Sequence, residues 1–302
     1  MSKQIGYIGL GKMGFNMVQR LLEKGWEVAA TDASETQKSK LKSQNSSATV
    51  IDSAAQVVKV LPAPRVVWIM VPHRVVDRVL KEIVPYLETG DIVIDGGNSN
   101  YKETIQRARG LAKQGVEFLD VGVSGGPAGA RNGVCLMIGG DQKSYARLEE
   151  LWRDLACESG YAYLGTSGAG HFVKMVHNGI EYGMMQAMAE GFAVMQAKQE
   201  FQLDLPAIAE LYHHGSVVQS RLTDWLARAY KESGQDLANI SSTVAHSGEG
   251  QWTVEAAKEL GIPVPVIQEA LQFRIDSEKK PSYTGKVVSA LRNQFGGHEV
   301  KK

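Results

Sequence analysis

The tightest constraint on the fold is a change of texture near residue 166. Before it, the short β-branched runs QIGYIG, EVAATD, VVWIMV, DIVIDG, EFLDVGV and CLMIGG alternate with amphipathic stretches. Such alternation builds βαβ units around a mostly parallel sheet. After Ser167 no comparable run occurs, and 168–199, 205–213, 217–233 and 252–276 carry helical periodicity. GIPVPV breaks the last of these, because Pro263 and Pro265 stop a helix from continuing freely. We therefore expect an α/β doubly wound domain over 1–166 and an all-helical domain over 167–302, with the tail GGHEVKK fraying.

Thirty-three Lys and Arg balance thirty-three Asp and Glu over 302 residues, which leaves no basic field for nucleic acid or an acidic membrane surface. Any anion must be caught locally. No stretch approaches the roughly 20 apolar residues of a membrane span, and MSKQIGYIGL has too short an apolar run for a signal peptide. Cys135 and Cys157 alone form neither a zinc site nor a disulfide framework, so a reducing cytoplasm is the expected compartment.

IGYIGLGKMG places Gly9, Gly11 and Gly14 as G-x-G-x-x-G directly after a strand and at the start of the helical stretch 13–24. In that context the motif predicts a Rossmann-like dinucleotide loop, with the pyrophosphate on a helix N-terminus. Asp32 closes the second strand, where a carboxylate meets the adenosine ribose diol and repels a 2′-phosphate, so NAD is expected over NADP. Leu10, Lys12, Met13, Val71 and Asn98 complete the cofactor candidates, while Lys38 and Lys40 are expected on a solvated helix face. His73 is expected in a loop open to water. Asn98 and Ser99 in DGGNSN offer neutral hydrogen-bonding groups at a strand end, where ligands sit in open α/β sheets.

GVSGG fits the G-x-S-x-G elbow of α/β-hydrolases. An elbow runs straight into a helix, whereas GGPAGARNG suggests a loop wrapping a carboxylate with the Ser124 hydroxyl and the backbone N–H groups of Gly125 and Gly126. In VKMVHNGIEYG, Lys174, His177, Asn178, Glu181 and Tyr182 fall on one helical face. Gly179 and Gly183 each weaken a helix by about 1 kcal/mol relative to alanine, which suits close approach of a ligand or another helix. Lys174 on the same face opposes a cation at His177 and Glu181, so no metal is expected.

GLGKMG, DGGNSNYKET, GVSGGPAGARNGVCLMIGG, GHFVKMVHNGIEYGMMQA, GEGQWTVEAAKELGIPVPVIQEAL and RNQFGGH together resemble the decarboxylating 6-phosphogluconate dehydrogenases, in their short-chain form. The resemblance covers nearly the whole chain. It implies that Lys174 takes the proton of a substrate hydroxyl as hydride leaves for NAD, and that Glu181 protonates the enediol left after loss of carbon dioxide. It gives His177, Asn178, Asn98, Ser124, Gly125 and Gly126 the substrate carboxylate and hydroxyls. Tyr182, Thr253 and Arg292 match phosphate contacts. Arg292 and His298 match a tail that enters a neighbouring subunit, which implies a homodimer or homotetramer.

The chain departs from that pattern at Gln219 in GSVVQS and Gln251 in GEGQWT, where the family carries cations. Each lost charge-assisted contact removes roughly 1.5–3 kcal/mol of dianion binding; Arg221 lies close in sequence as a substitute. An unphosphorylated aldonate such as gluconate is therefore an alternative substrate. A non-decarboxylating β-hydroxyacid dehydrogenase and a non-catalytic NAD-sensing protein are alternatives of other classes.

Overall fold

The computed structural model of the chain describes residues 3–45, 47–245 and 248–296. They fall into two compact units, Met1–Lys174 and Met175–Lys302.

The first unit runs β1 (Gln4–Ile8), α1 (Lys12–Glu23), β2 (Glu27–Thr31), α2 (Glu35–Gln44), β3 (Thr49–Val50), α3 (Ala54–Val60), β4 (Val66–Ile69) and α4 (His73–Ile83). It continues with β5 (Ile92–Asp95), α5 (Tyr101–Ala112), β6 (Glu117–Ser124), α6 (Gly126–Asn132), β7 (Val134–Gly139), α7 (Gln142–Arg147), α8 (Glu149–Leu155) and β8 (Ala156–Gly165). The sheet order is β3-β2-β1-β4-β5-β6-β7-β8. β1 through β6 pair in parallel, β7 runs antiparallel to β6, and β8 runs parallel to β7. The chain reverses its direction of winding between β1 and β4, which opens a crevice at their carboxyl ends.

Two apolar layers cover the sheet. One collects Leu10, Phe15, Val18, Leu21, Trp68 and Trp152, and the other Val57, Val76, Leu80, Ile83 and Phe118. The spacing Val76, Val79, Leu80, Ile83 on α4 shows why these stretches become helices: one face meets the sheet and the other meets water. β8 has no such signal. It is an edge strand whose residues are largely exposed, so polar side chains break the apolar run, and β3 is two residues long.

Three expectations change here. GPAGARN is the helix α6 rather than a loop: Gly125 and Gly126 turn the chain at φ +128° and +64°, and Pro127 then fits the first turn of the helix. The strand-to-helix step that a hydrolase elbow requires is thus present. Lys38 is buried and pairs with Glu35 at 2.6 Å rather than standing in solvent, whereas Lys40 is exposed as expected, over the Phe15 ring at 4.3 Å. His73 is the half-buried first residue of α4, not a loop residue.

The second unit is helical. α9 (Ala169–Ala197) starts in the first unit and continues through the second, followed by α10 (Leu205–Tyr212), α11 (Arg221–Ser233), α12 (Glu249–Glu259), α13 (Pro265–Asp276) and α14 (Tyr283–Gly296). Pro265 opens α13, as the GIPVPV break requires. α11 starts at a capping box between Ser220 and Thr223. α14 has no simple polar face, because Val287, Val288, Ser289, Ala290, Leu291 and Arg292 are all buried, and this hides its period in the sequence. No helix among the described residues is long and apolar enough to cross a membrane.

Leu21 has no exposed surface. Leu21→Ala is expected to lower the unfolding free energy by about 2–5 kcal/mol in urea titration, whereas Val194→Ala, at 71% exposure, stays within about 0.5 kcal/mol of the parent.

Candidate active site

The glycine loop sits at the carboxyl end of β1. Gly9 adopts φ +108°, and a Cβ there would lie 3.0 Å from Val71 Cγ1 and closer still to the Met70 backbone. A Cβ on Gly14 would lie 3.1 Å from the Gly9 carbonyl carbon, so this glycine lets α1 close against β1. A Cβ on Gly11 would meet nothing within 4 Å. Packing does not demand glycine at that position; it leaves open room above the N-terminus of α1.

Asp32, just past β2, accepts from the Leu10 N–H at 2.6 Å and the Ser34 N–H at 2.7 Å. One carboxylate thus pins the middle of the glycine loop, and a carboxylate retains further acceptor sites after two such bonds. Lys12 and Met13 open α1 beside it. At the end of β5, the Ser99 hydroxyl donates to buried Asp95 at 2.7 Å, which commits it to the turn, while Asn98 is exposed. Ser124 ends β6 half-buried, with Gly125 and Gly126 leading into α6.

Lys174 is 7% exposed, and its stem packs on β6 at Gly122, where any Cβ would collide with the lysine Cβ. Further along α9, His177 Nδ1 lies 3.1 Å from Asn178 Oδ1 and 3.8 Å from Glu181 Oε2. The expected stripe is therefore real: lysine, histidine, asparagine and glutamate stand on successive turns of one helix. Gly179 and Gly183 of this helix serve packing. A Cβ on Gly179 would lie 2.6 Å from Thr253 Cγ2, and one on Gly183 would lie 3.2 Å from Val266 Cγ1.

Within the second unit, Tyr182 is the centre of a charged cluster that the sequence reading only half anticipated. Its ring carries the Arg274 guanidinium at 3.3 Å from the centroid, and its hydroxyl is buried without a hydrogen-bond partner among the described residues. Arg274 and Arg292 are both buried, and neither makes an ion pair with a carboxylate among the described residues. Burial pulls the Arg274 guanidinium down to about 10, leaving it cationic at neutral pH, and burial also lowers Arg292. Thr253 directs its hydroxyl at the Met175 carbonyl, 2.8 Å, and the Glu249 carbonyl, 2.9 Å, tying α12 to α9.

Arg274 was absent from the sequence candidates, since PVIQEALQFRID shows one arginine on an otherwise ordinary helix. Only packing shows that it is buried and, among the described residues, makes no ion pair with a carboxylate. Arg292 lies on α14, whose apolar residues Val287, Val288 and Leu291 pack in the core of the second unit. His298 lies outside the described residues. The exposed Gln219 and Gln251 are engaged locally, by the Gly215 N–H at 3.1 Å and by Glu255 at 2.8 Å, and Arg221 is exposed at the start of α11. Among the described residues no group of three or more His, Cys, Asp or Glu is placed to hold a metal ion.

Comparison with known proteins supplies the class. Residues 4–165 match the family model described as the NAD binding domain of 6-phosphogluconate dehydrogenase, and 170–302 match the C-terminal domain of 6-phosphogluconate dehydrogenase. The chain is 44% identical over 299 residues to the Bacillus subtilis protein YqeC, named provisionally as a 6-phosphogluconate dehydrogenase, with 99% of each chain covered. It is 39% identical over 301 residues to the NAD(+)-dependent, decarboxylating 6-phosphogluconate dehydrogenase of Haloferax volcanii, again with 99% of each chain covered. Among solved structures, Plasmodium falciparum 6-phosphogluconate dehydrogenase superposes with a TM-score of 0.81 at 29% identity, covering 92% of this chain and 62% of that one. The chain belongs to the 6-phosphogluconate dehydrogenase family of oxidoreductases.

Proposed function

We propose that the protein oxidises and decarboxylates 6-phosphogluconate to ribulose 5-phosphate and carbon dioxide with NAD as acceptor and no metal. The observation that carries the phosphorylated substrate is the pair Arg274 and Arg292, buried beside Tyr182 and, among the described residues, in ion-pair contact with no carboxylate, although Glu181 and Glu249 attract them from farther off. Holding two guanidinium groups out of water is costly unless an anion completes them. Two cations are missing at Gln219 and Gln251; Arg292 is a contact the resemblance already implied, and Arg274 adds one charge beyond it. The alternative of an unphosphorylated aldonate leaves the two arginines without a task.

The residues fit a nicotinamide dinucleotide. Gly9 and Gly14 shape the turn, the open room at Gly11 admits a pyrophosphate at the N-terminus of α1, and Asp32 faces the adenosine ribose. Leu10, Lys12, Met13, Val71 and Asn98 border the same strand ends. A carboxylate at Asp32 repels a 2′-phosphate, which favours NAD. When bound, the cofactor accepts hydride.

The remaining chemistry falls to the chain. The buried Lys174 amine, at the root of the stripe, takes the proton from the substrate's 3-hydroxyl, a step that requires its neutral form. The 3-keto acid then loses carbon dioxide, its electrons flowing into the carbonyl, and the protonated lysine stabilises the enolate. Glu181 delivers the proton to C1 of the resulting enediol, the former C2 of the substrate. His177 and Asn178, joined to each other, orient the substrate hydroxyls, with Asn98, Ser124, Gly125 and Gly126 at its carboxylate end. Tyr182 and Thr253 border the phosphate with the two arginines. We also assign the protein to the cytoplasm as a homodimer or homotetramer, which sedimentation at working concentration checks.

Three outcomes test this reading. The kcat/KM with NAD is expected to favour 6-phosphogluconate over gluconate, and Arg274→Met is expected to lower the value for the phosphorylated acid alone by roughly 10- to 150-fold; a clear preference for gluconate in the parent protein would overturn the substrate. Glu181→Gln should bind NADH as the parent does yet lose about 100-fold or more of its ribulose 5-phosphate formation. Asp32→Gly should narrow the preference for NAD over NADP, read as the ratio of the two kcat/KM values.

A further inference from the structure

Asp95 and Asp120 are register partners on β5 and β6, and both are fully buried. Neighbouring buried carboxylates repel, so each needs compensation. Asp95 accepts from the Gly97 N–H at 3.0 Å and the Ser99 hydroxyl at 2.7 Å, with an Arg107 nitrogen at 3.8 Å. Asp120 is compensated differently. It accepts from the Gly168 N–H at 2.7 Å and the His171 N–H at 2.9 Å, the amides at the N-terminus of α9. These are groups a helix leaves unsatisfied, at the end where its dipole favours negative charge.

An ordinary cap comes from the residue just before its helix. This one comes from a strand 48 residues earlier, so it ties the helix to the sheet as well as closing it. The seat is correspondingly close. A Cβ on Gly139 would lie 2.7 Å from Asp120 Oδ1, and one on Gly170 would lie 2.5 Å from the Asp120 carbonyl oxygen. The His171 ring adds a second tie, with Nδ1 2.7 Å from Thr104 Oγ1 and Nε2 3.1 Å from the Asp95 carbonyl oxygen. Lys174 follows His171 by three residues, its stem against Gly122.

We propose that Asp120 is a positioning residue: by holding the N-terminus of α9 on β6 it sets where the Lys174 amine meets the substrate hydroxyl. The proposal rests on Lys174 acting as the base. Helix formation itself does not depend on Asp120, since α9 has 29 residues and many other contacts. Loss of the carboxylate should therefore displace the lysine rather than unfold the chain, and displacements of about 1 Å cost roughly 100-fold in rate.

The test compares Asp120→Asn, which keeps the shape and one acceptor, with Asp120→Ser, which serves if the amide does not fold. Asp91→Asn is the control. Asp91 is equally buried just before β5, and its carboxylate accepts from the Arg65 and Glu88 N–H groups at 2.7 and 2.9 Å rather than from α9. The Asp120 variants should lose about 10- to 100-fold in kcat with 6-phosphogluconate and NAD, while KM and NADH affinity by fluorescence stay within about threefold. Asp91→Asn should lose stability in urea yet keep kcat within about twofold. An Asp120→Asn enzyme with the parent's kcat, or a kcat loss matched by Asp91→Asn, overturns the proposal. Lys174→Met is measured alongside: turnover in that variant removes the lysine reading itself, whereas an inactive Lys174→Met beside a fully active Asp120→Asn removes only the role of Asp120.

Discussion

The seating of α9 on the strand β6 is the constraint on which the rest of the site depends. Three kinds of contact converge there: the Asp120 carboxylate on the helix amides, the His171 ring between Thr104 and the Asp95 carbonyl, and glycines at 122, 139 and 170 that admit backbone where a side chain would collide. All are short-range and directional, so small changes in them are not absorbed by the surrounding packing. Because Lys174 follows His171 by less than one helical turn, its position inherits the precision of that seat. His177, Asn178 and Glu181 then take their places from the helical period alone.

Anion recognition follows a similar economy. The chain carries no net charge, so long-range attraction plays no part. Instead the local fields are built from a few groups held away from water: the N-terminus of α1 with Asp32 clamping its loop, and Arg274 over Tyr182 near Arg292. Arg274 remains cationic despite burial, so under the proposed function a dianion meets a partner already desolvated. The Tyr182 hydroxyl beside it is buried without a hydrogen-bond partner among the described residues.

Much of this was legible in the sequence, for identifiable reasons. Runs such as QIGYIG and VVWIMV are buried on both faces and therefore stand out as uninterrupted apolar strands. The lysine stripe is visible because periodicity depends only on spacing. Features set by tertiary context were not. β8 is an exposed edge strand, α6 is built on glycines that usually mark loops, and α14 is buried on nearly every side, so none shows a simple pattern. Lys38 looked like a surface lysine until its burial beside Glu35 was seen. Arg274 is one cation among many in the sequence, and its meaning lies wholly in what surrounds it. Asp120 is similarly silent, since a strand aspartate says nothing about a helix amide 48 residues away.

The central claim is that one helix carries both the base that starts the oxidation and the acid that completes the decarboxylation. The most direct measurement is the ratio of carbon dioxide to NADH formed from 6-phosphogluconate labelled with carbon-13 at C1, followed together in one reaction. The account predicts a ratio of one throughout, with all of the label leaving as carbon dioxide. NADH formation with the label retained in a keto acid would contradict it.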